Sequence, residues 1–227
     1  MAKIIQFTIS FLVPFILLFT ISCGQENAIK KETRYVLNEN KEWLSDDAVG
    51  SNFIMMDNNH ISQSFNMYQS GSGFSPSTSS YFWIKTKTIE TESYSQGFTP
   101  NYGLGFSFLL TAGSIPFGDN LTVSFGYFSF TYDFKYQTIS RLSSQNSYLS
   151  KDMIGDRYEE NQKMYSTVNF IDTLTIDNHL YTDIMHFRLE DFANEWTPTY
   201  LRDIYLAKHV GLIKYKLNNG IFYERQF

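Results

Sequence analysis

Cysteine occurs once in this chain, at Cys23, and proline five times in 227 residues. A single thiol excludes an internal disulfide, so stability must come from burial even if the protein is exported. Apolar residues at helical spacing are almost absent, which argues against a helical bundle and against alternating helix and strand. Charge is sparse and slightly acidic: 18 Lys and Arg stand against 23 Asp and Glu, a net −5 with histidine neutral. That balance argues against nucleic acid as a partner and against charge-driven adsorption to anionic lipid.

Signatures of chemistry are missing as well. His60, His179, His186 and His209 form no His-x-x-x-His pair, so each is expected to be structural or at the surface and no metal is expected. The acids Asp152, Asp156, Glu159 and Glu160 lack the alternating ligand spacing of a calcium loop. Gly103-Leu104-Gly105 is not framed by a strand, turn and helix, and Gly71-Ser72-Gly73 is no nucleophile elbow, so no cofactor is expected. Paired carboxylates leave the one open enzyme route, because a glycan hydrolase needs two acids placed by the fold and shows no local motif. Glu90 with Glu92, and Glu190 with Asp191, are the candidate pairs.

What the chain does have is aromatic side chains, 21 Phe, 16 Tyr and 3 Trp. Each buries on the order of 150 to 250 Å², enough to build a core without cross-links. They recur with period two in runs separated by Asn, Asp and Gly. Strands are expected over Asn52 to Met56, His60 to Tyr68 and Tyr81 to Thr91, and again at Tyr102, Leu104, Phe106, Phe108 and Leu110. Gln69 to Ser80 reads as a Ser/Gly-rich connector, a candidate rim over a binding surface.

After Asp119 the apolar set is odd, at Leu121, Val123 and Phe125. Beyond Gly126 it becomes even, at Phe128, Phe130, Tyr132, Phe134 and Tyr136. A one-residue slip swaps the faces of a strand, so this pattern predicts one long strand with a β-bulge at Gly126 or Tyr127. Residues 137–162 read as a solvated acidic loop or short helix. Met164 to Ile171, Leu174 to Asp177 and His179 to Leu189 follow as strands, with Tyr181, Met185, Phe187 and Leu189 on one face. Asp191 to Pro198 reads as a loop, and Asp203 to Leu217 forms a closing hairpin with Ile221 to Gln226 about Asn218-Asn219-Gly220.

The N-terminus sets the expected address. Lys3 begins it, an apolar run extends from Ile4 to Ile21, and Ser22 precedes Cys23 before the chain turns polar. Thr20-Ile21-Ser22-Cys23 resembles a bacterial lipobox, with Thr20 where that pattern prefers Leu. The resemblance implies lipidation of Cys23 and cleavage before it, with acyl chains holding the protein on a membrane. An uncleaved spanning helix and an ordinary leader with a free cysteine are the alternatives.

A second resemblance lies in Asp172-Thr173-Leu174-Thr175-Ile176-Asp177, Tyr181-Thr182-Asp183-Ile184 and Tyr205 to Tyr215. These are similar to the C-terminal pattern of small cell-envelope lipoproteins of Bacteroidota, with His209 where those proteins commonly carry Gly. The resemblance implies an outer-membrane lipoprotein and no particular activity.

The expected organisation is a signal peptide over residues 1–22, a lipid-anchored tether over 23–34 and an antiparallel all-β domain over 35–227. A sandwich or a strongly curved, partly closed sheet with at most one or two short helices would suit it. The expected function is a non-catalytic binding or structural module, with Phe128, Phe130, Tyr132, Phe134 and Tyr136 as a hydrophobic binding face. A lipid or lipoprotein carrier with a cavity behind that face, and a carboxylate-dependent glycan hydrolase, are the alternatives.

Overall fold

The computed structural model describes residues 30–81, 84–113, 118–126, 128–144, 166–189 and 201–227. Two compact units make up the chain, one of Met1–Thr33 with Pro76–Glu90, the other of Arg34–Ser75 with Thr91–Phe227. Cys23, Trp83, Trp196, Glu190, Asp191 and the acids of residues 152–160 lie outside the described residues.

Alternation does what the sequence predicts. In β5 (Phe106–Thr111) Phe106, Phe108 and Leu110 are buried while Ser107 and Leu109 face away, and β6 (Asn120–Phe125) buries Leu121, Val123 and Phe125. Each fully buried Phe or Leu side chain contributes about 1.5 to 3 kcal/mol relative to exposure. The remaining strands are β1 (Lys30–Arg34), β2 (Asn52–Asp57), β3 (Ser62–Tyr81), β4 (Ile84–Pro100), β7 (Phe128–Asp133) and β8 (Thr138–Ser144). They continue with β9 (Ser166–Ile176), β10 (His179–Leu189), β11 (Leu201–Ala207), β12 (Gly211–Leu217) and β13 (Phe222–Gln226). One helical turn, α1 (Asn38–Lys41), is the helix among the described residues.

All these strands belong to one sheet, ordered β8-β7-β6-β5-β4-β3-β2-β13-β12-β11-β10-β9, with β1 on β4. Two meanders, β2 to β8 and β9 to β13, are therefore joined where Tyr223 to Gln226 pair with Asp57 to Ile54. In the larger unit the sheet curls until its end strands β8 and β9 approach, an almost closed, barrel-like arrangement. Of the two expected architectures, the protein takes the curved sheet. In the smaller unit Lys31 pairs with Glu90 at 2.9 Å and Lys87 pairs with Glu32. Half-exposed pairs of this kind add about 0 to 1 kcal/mol each.

Several sequence expectations need correction. No bulge joins the odd and even runs around Gly126. Phe125 pairs with Phe128, Val123 with Phe130 and Leu121 with Tyr132, so β6 and β7 are the two arms of a tight hairpin. A two-residue turn pairs odd positions with even ones on a common face, which yields the same parity switch. Gly126 adopts the positive φ of 57° that the turn demands.

Gln69 to Ser80 is no loop but part of β3, held by its neighbour β4; its Ser- and Gly-rich side chains up to Thr78 are exposed. Thr138 to Ser144, expected as loop, forms β8 on β7. The expected strand Asp203 to Leu217 is two, β11 and β12, reversed by a turn in which His209 holds φ at 63° and Gly211 at 73°. The five last residues expected in the tether form β1.

Within β10, Tyr181 does not share a face with Met185. Asp183 takes φ 52°, the ladder skips it, and Tyr181 and Ile184 pack in a small cluster with Ile176, Ala207 and Ile213. Met185, Phe187 and Leu189 enter the main core. The turn at Asp177-Asn178, with φ 47° and 61°, is as expected.

Candidate functional site

Three side chains, two on β4 and one just before β6, reach inward and grip one passing segment. Residues 35–47 cross the larger unit as a strap that buries Val36, Trp43 and Leu44 in the main core. Strap backbone has no ladder to satisfy it, so each buried N–H needs another partner. Glu92 of β4 accepts the Val36 N–H at 2.8 Å and the Tyr94 hydroxyl at 2.7 Å, with the Lys41 ammonium 3.4 Å away. Asp119, just before β6, accepts the Leu37 N–H and the Asn40 amide, both at 2.8 Å, and the Gly113 N–H at 3.1 Å. Gln96 closes a reciprocal pair with Ser45, accepting its N–H at 2.9 Å and donating to its carbonyl at 2.6 Å.

Farther along the strap, the turn between β11 and β12 takes over. The Asp46 N–H donates to the His209 carbonyl at 2.8 Å, and the His209 N–H donates to the Glu42 carbonyl. Arg225 donates to the Val210 carbonyl at 3.0 Å and to Asp47 at 3.1 Å. Lys208 pairs with Glu42 at 2.8 Å and sits over the Trp43 ring. The hydrogen bond and charge of Lys208 hold the Glu42 carboxyl below its ordinary pKa.

The electrostatics of Glu92 follow from these partners. Burial alone would raise its pKa, but the Tyr94 hydroxyl, the Val36 N–H and the Lys41 ammonium outweigh that and hold it below the ordinary value. The Tyr94 hydrogen bond raises Lys41 in turn, against the opposing effect of burial. An ionised carboxylate committed to a main-chain donor, a phenol and an ammonium is poorly placed to shuttle a proton or attack a substrate. Glu90, its expected companion, is engaged with Lys31. The other candidate pair, Glu190 and Asp191, lies outside the described residues.

Pairing in the sheet makes one dyad that sequence reasoning missed. His186 Nε2 lies 2.8 Å from Asp203 Oδ1, and its ring stacks on Tyr205 with centroids 4.1 Å apart. Burial works to raise Asp203, and the His186 hydrogen bond overcomes it, leaving the carboxyl below its usual pKa. No local signal announces this pair, because the β10 to β11 register alone sets His186 opposite Tyr205 and Arg188 opposite Asp203. Of the other histidines, His179 stacks on Phe227 with centroids 4.0 Å apart, while His60 and His209 occupy turns. Among the described residues no group of three or more His, Cys, Asp or Glu side chains could hold a metal ion.

The expected binding face is not one surface. Phe130 and Tyr132 are fully buried, with Phe187 packed 5.0 Å and 5.3 Å from them by ring centroids. Phe134 packs against that core from its edge, and Tyr136 is exposed in the turn after β7. The Phe128 side chain lies outside the description. Burial pushes the Tyr132 phenol up to about 12, so it stays neutral at any physiological pH. A shallow hollow of about 230 Å³ does occur elsewhere, between Leu44 of the strap, Ser70 to Ser72 of β3 and Tyr94 to Gln96 of β4.

Fold and contacts together define a meandering antiparallel β protein whose curved sheet is filled by aromatic side chains and crossed by a hydrogen-bonded strap. No protein-family model, curated protein or solved structure matches the chain.

Proposed function

We propose that the chain is a lipid-anchored cell-envelope protein, tethered through Cys23, that works as a non-catalytic binding or structural module. The observation that carries this reading is the use to which the buried polar groups are put. Glu92, Asp119 and Gln96 are spent on holding the strap, and an active-site acid would need a free oxygen facing a cleft. The carrier alternative needs a hollow behind Phe130 and Tyr132, and the rings of Phe187 and Phe134 occupy that space.

The anchor is testable by itself. Cells expressing the full chain with labelled palmitate are expected to incorporate the label into it, and Cys23→Ala is expected to abolish incorporation. Label that persists in Cys23→Ala would remove the anchored reading.

A further inference from the structure

Charge is distributed unevenly over the outside of the curved sheet. In the larger unit, β2 to β6 contain two charged residues, Asp57 and Glu92, and both are buried. Every outward position of those strands there is Ser, Thr, Asn, Gly or an uncharged larger residue, although 18% of the whole chain is charged. Strands β10 to β13, by contrast, carry Arg188, Lys214, Lys216 and Glu224.

Within the neutral half one exposed aromatic ring lies against glycine backbone. A Cβ on Gly97 would sit 2.4 to 2.7 Å from Cζ, Oη and Cε1 of Tyr68, so the ring rests directly on bare glycine backbone. Tyr68 remains 53% exposed, so the ring is open to a ligand as well as packed on the glycine. Hydrogen-bonding groups flank it: the Gln69 amide donates to the Ser95 hydroxyl at 3.2 Å, and the Asn66 amide to Asn52 at 3.0 Å.

We propose that this face binds a neutral glycan chain, with one sugar ring resting on Tyr68. A pyranose offers an apolar C–H face to an aromatic ring and a rim of hydroxyls to amides and hydroxyls, which are the groups present here. Among the described residues of these strands in the larger unit, phosphate, nucleic acid and anionic polysaccharides would find no cation. The proposal deepens the binding-module reading and rests on it.

Electrophoresis of the full chain, in mild detergent, through gels containing a neutral glucan, mannan or xylan tests it. Retardation is expected in at least one of the three and none in polygalacturonate. Tyr68→Ala is expected to weaken that retardation at least tenfold with the unfolding midpoint of the protein retained, whereas Tyr68→Phe keeps it. Gly97→Ala, which must lift the ring, is expected to act like Tyr68→Ala. No retardation by any of the three, or equal retardation of Tyr68→Ala, overturns the proposal. So does sedimentation as a dimer that Tyr68→Ala dissociates, which would make the face a contact between two copies. Loss of glycan binding with palmitate labelling intact would remove the ligand class and leave the anchored module standing.

Discussion

Replacing Phe187 by alanine is expected to lower the free energy of unfolding by about 3 to 5 kcal/mol, the usual cost of removing a buried aromatic ring. Phe187 is wholly inaccessible, and its ring meets those of Phe130 and Tyr132 edge-on or tilted. These rings come from β7 and β10, one from each meander, so the vacancy would open where the two packed halves of the core meet. Collapse around it is limited, because the ladders fix both backbones. Urea titration followed by fluorescence measures the effect. A cost below about 1 kcal/mol, the level of an exposed substitution, would mean that the rings are not packed as described.

Glu92→Ala is expected to cost about 3 kcal/mol near neutral pH, since it strips the Val36 N–H and the Tyr94 hydroxyl of a charged acceptor. Lys41 retains access to water and adds little. The pH dependence has a definite sign. With Glu92 held below its ordinary 4.5, the unfolded chain takes up a proton first as pH falls. Its contribution is therefore complete above about pH 5 and is lost as pH drops through the lower folded value. Asp203, also held below its ordinary 3.8, acts in the same direction. The stability gap between the native chain and Glu92→Ala should narrow from pH 7 to pH 3. A gap that is constant across that range would mean that the carboxylate is not ionised in its strap contacts.

What was legible in the sequence was whatever depends on neighbours along the chain. Alternation at Phe106, Phe108 and Leu110 placed β5, and Asp177-Asn178 placed the turn between β9 and β10. The parity switch at Gly126 was a true signal attached to the wrong geometry. A bulge and a tight hairpin both exchange odd for even, and Gly opening a two-residue turn was the clue that favours the hairpin. Residues 69–80 were hidden for a different reason. Ser and Gly carry no periodicity when neither face is buried, so only pairing with a neighbour reveals a strand there.

The candidate site was the least legible part. Glu92 and Asp119 grip strap residues 56 and 82 positions away, and nothing local distinguishes them from solvated acids. Phe130 and Tyr132 share parity along β7, but whether their side is filled or open depends on what β10 sets against it. Tyr68 and Gly97 likewise acquire meaning only when the sheet lays one on the other.

Central to this reading is the space behind Phe130 and Tyr132, which among the described residues is filled by Phe187 and Phe134, so that no acyl chain is held there. Titration of the full chain with a fluorescent acyl-chain probe tests this most directly. A filled interior predicts no saturable uptake beyond that of the detergent blank. Stoichiometric, saturable binding of one probe per chain, displaced by unlabelled fatty acid, would contradict it.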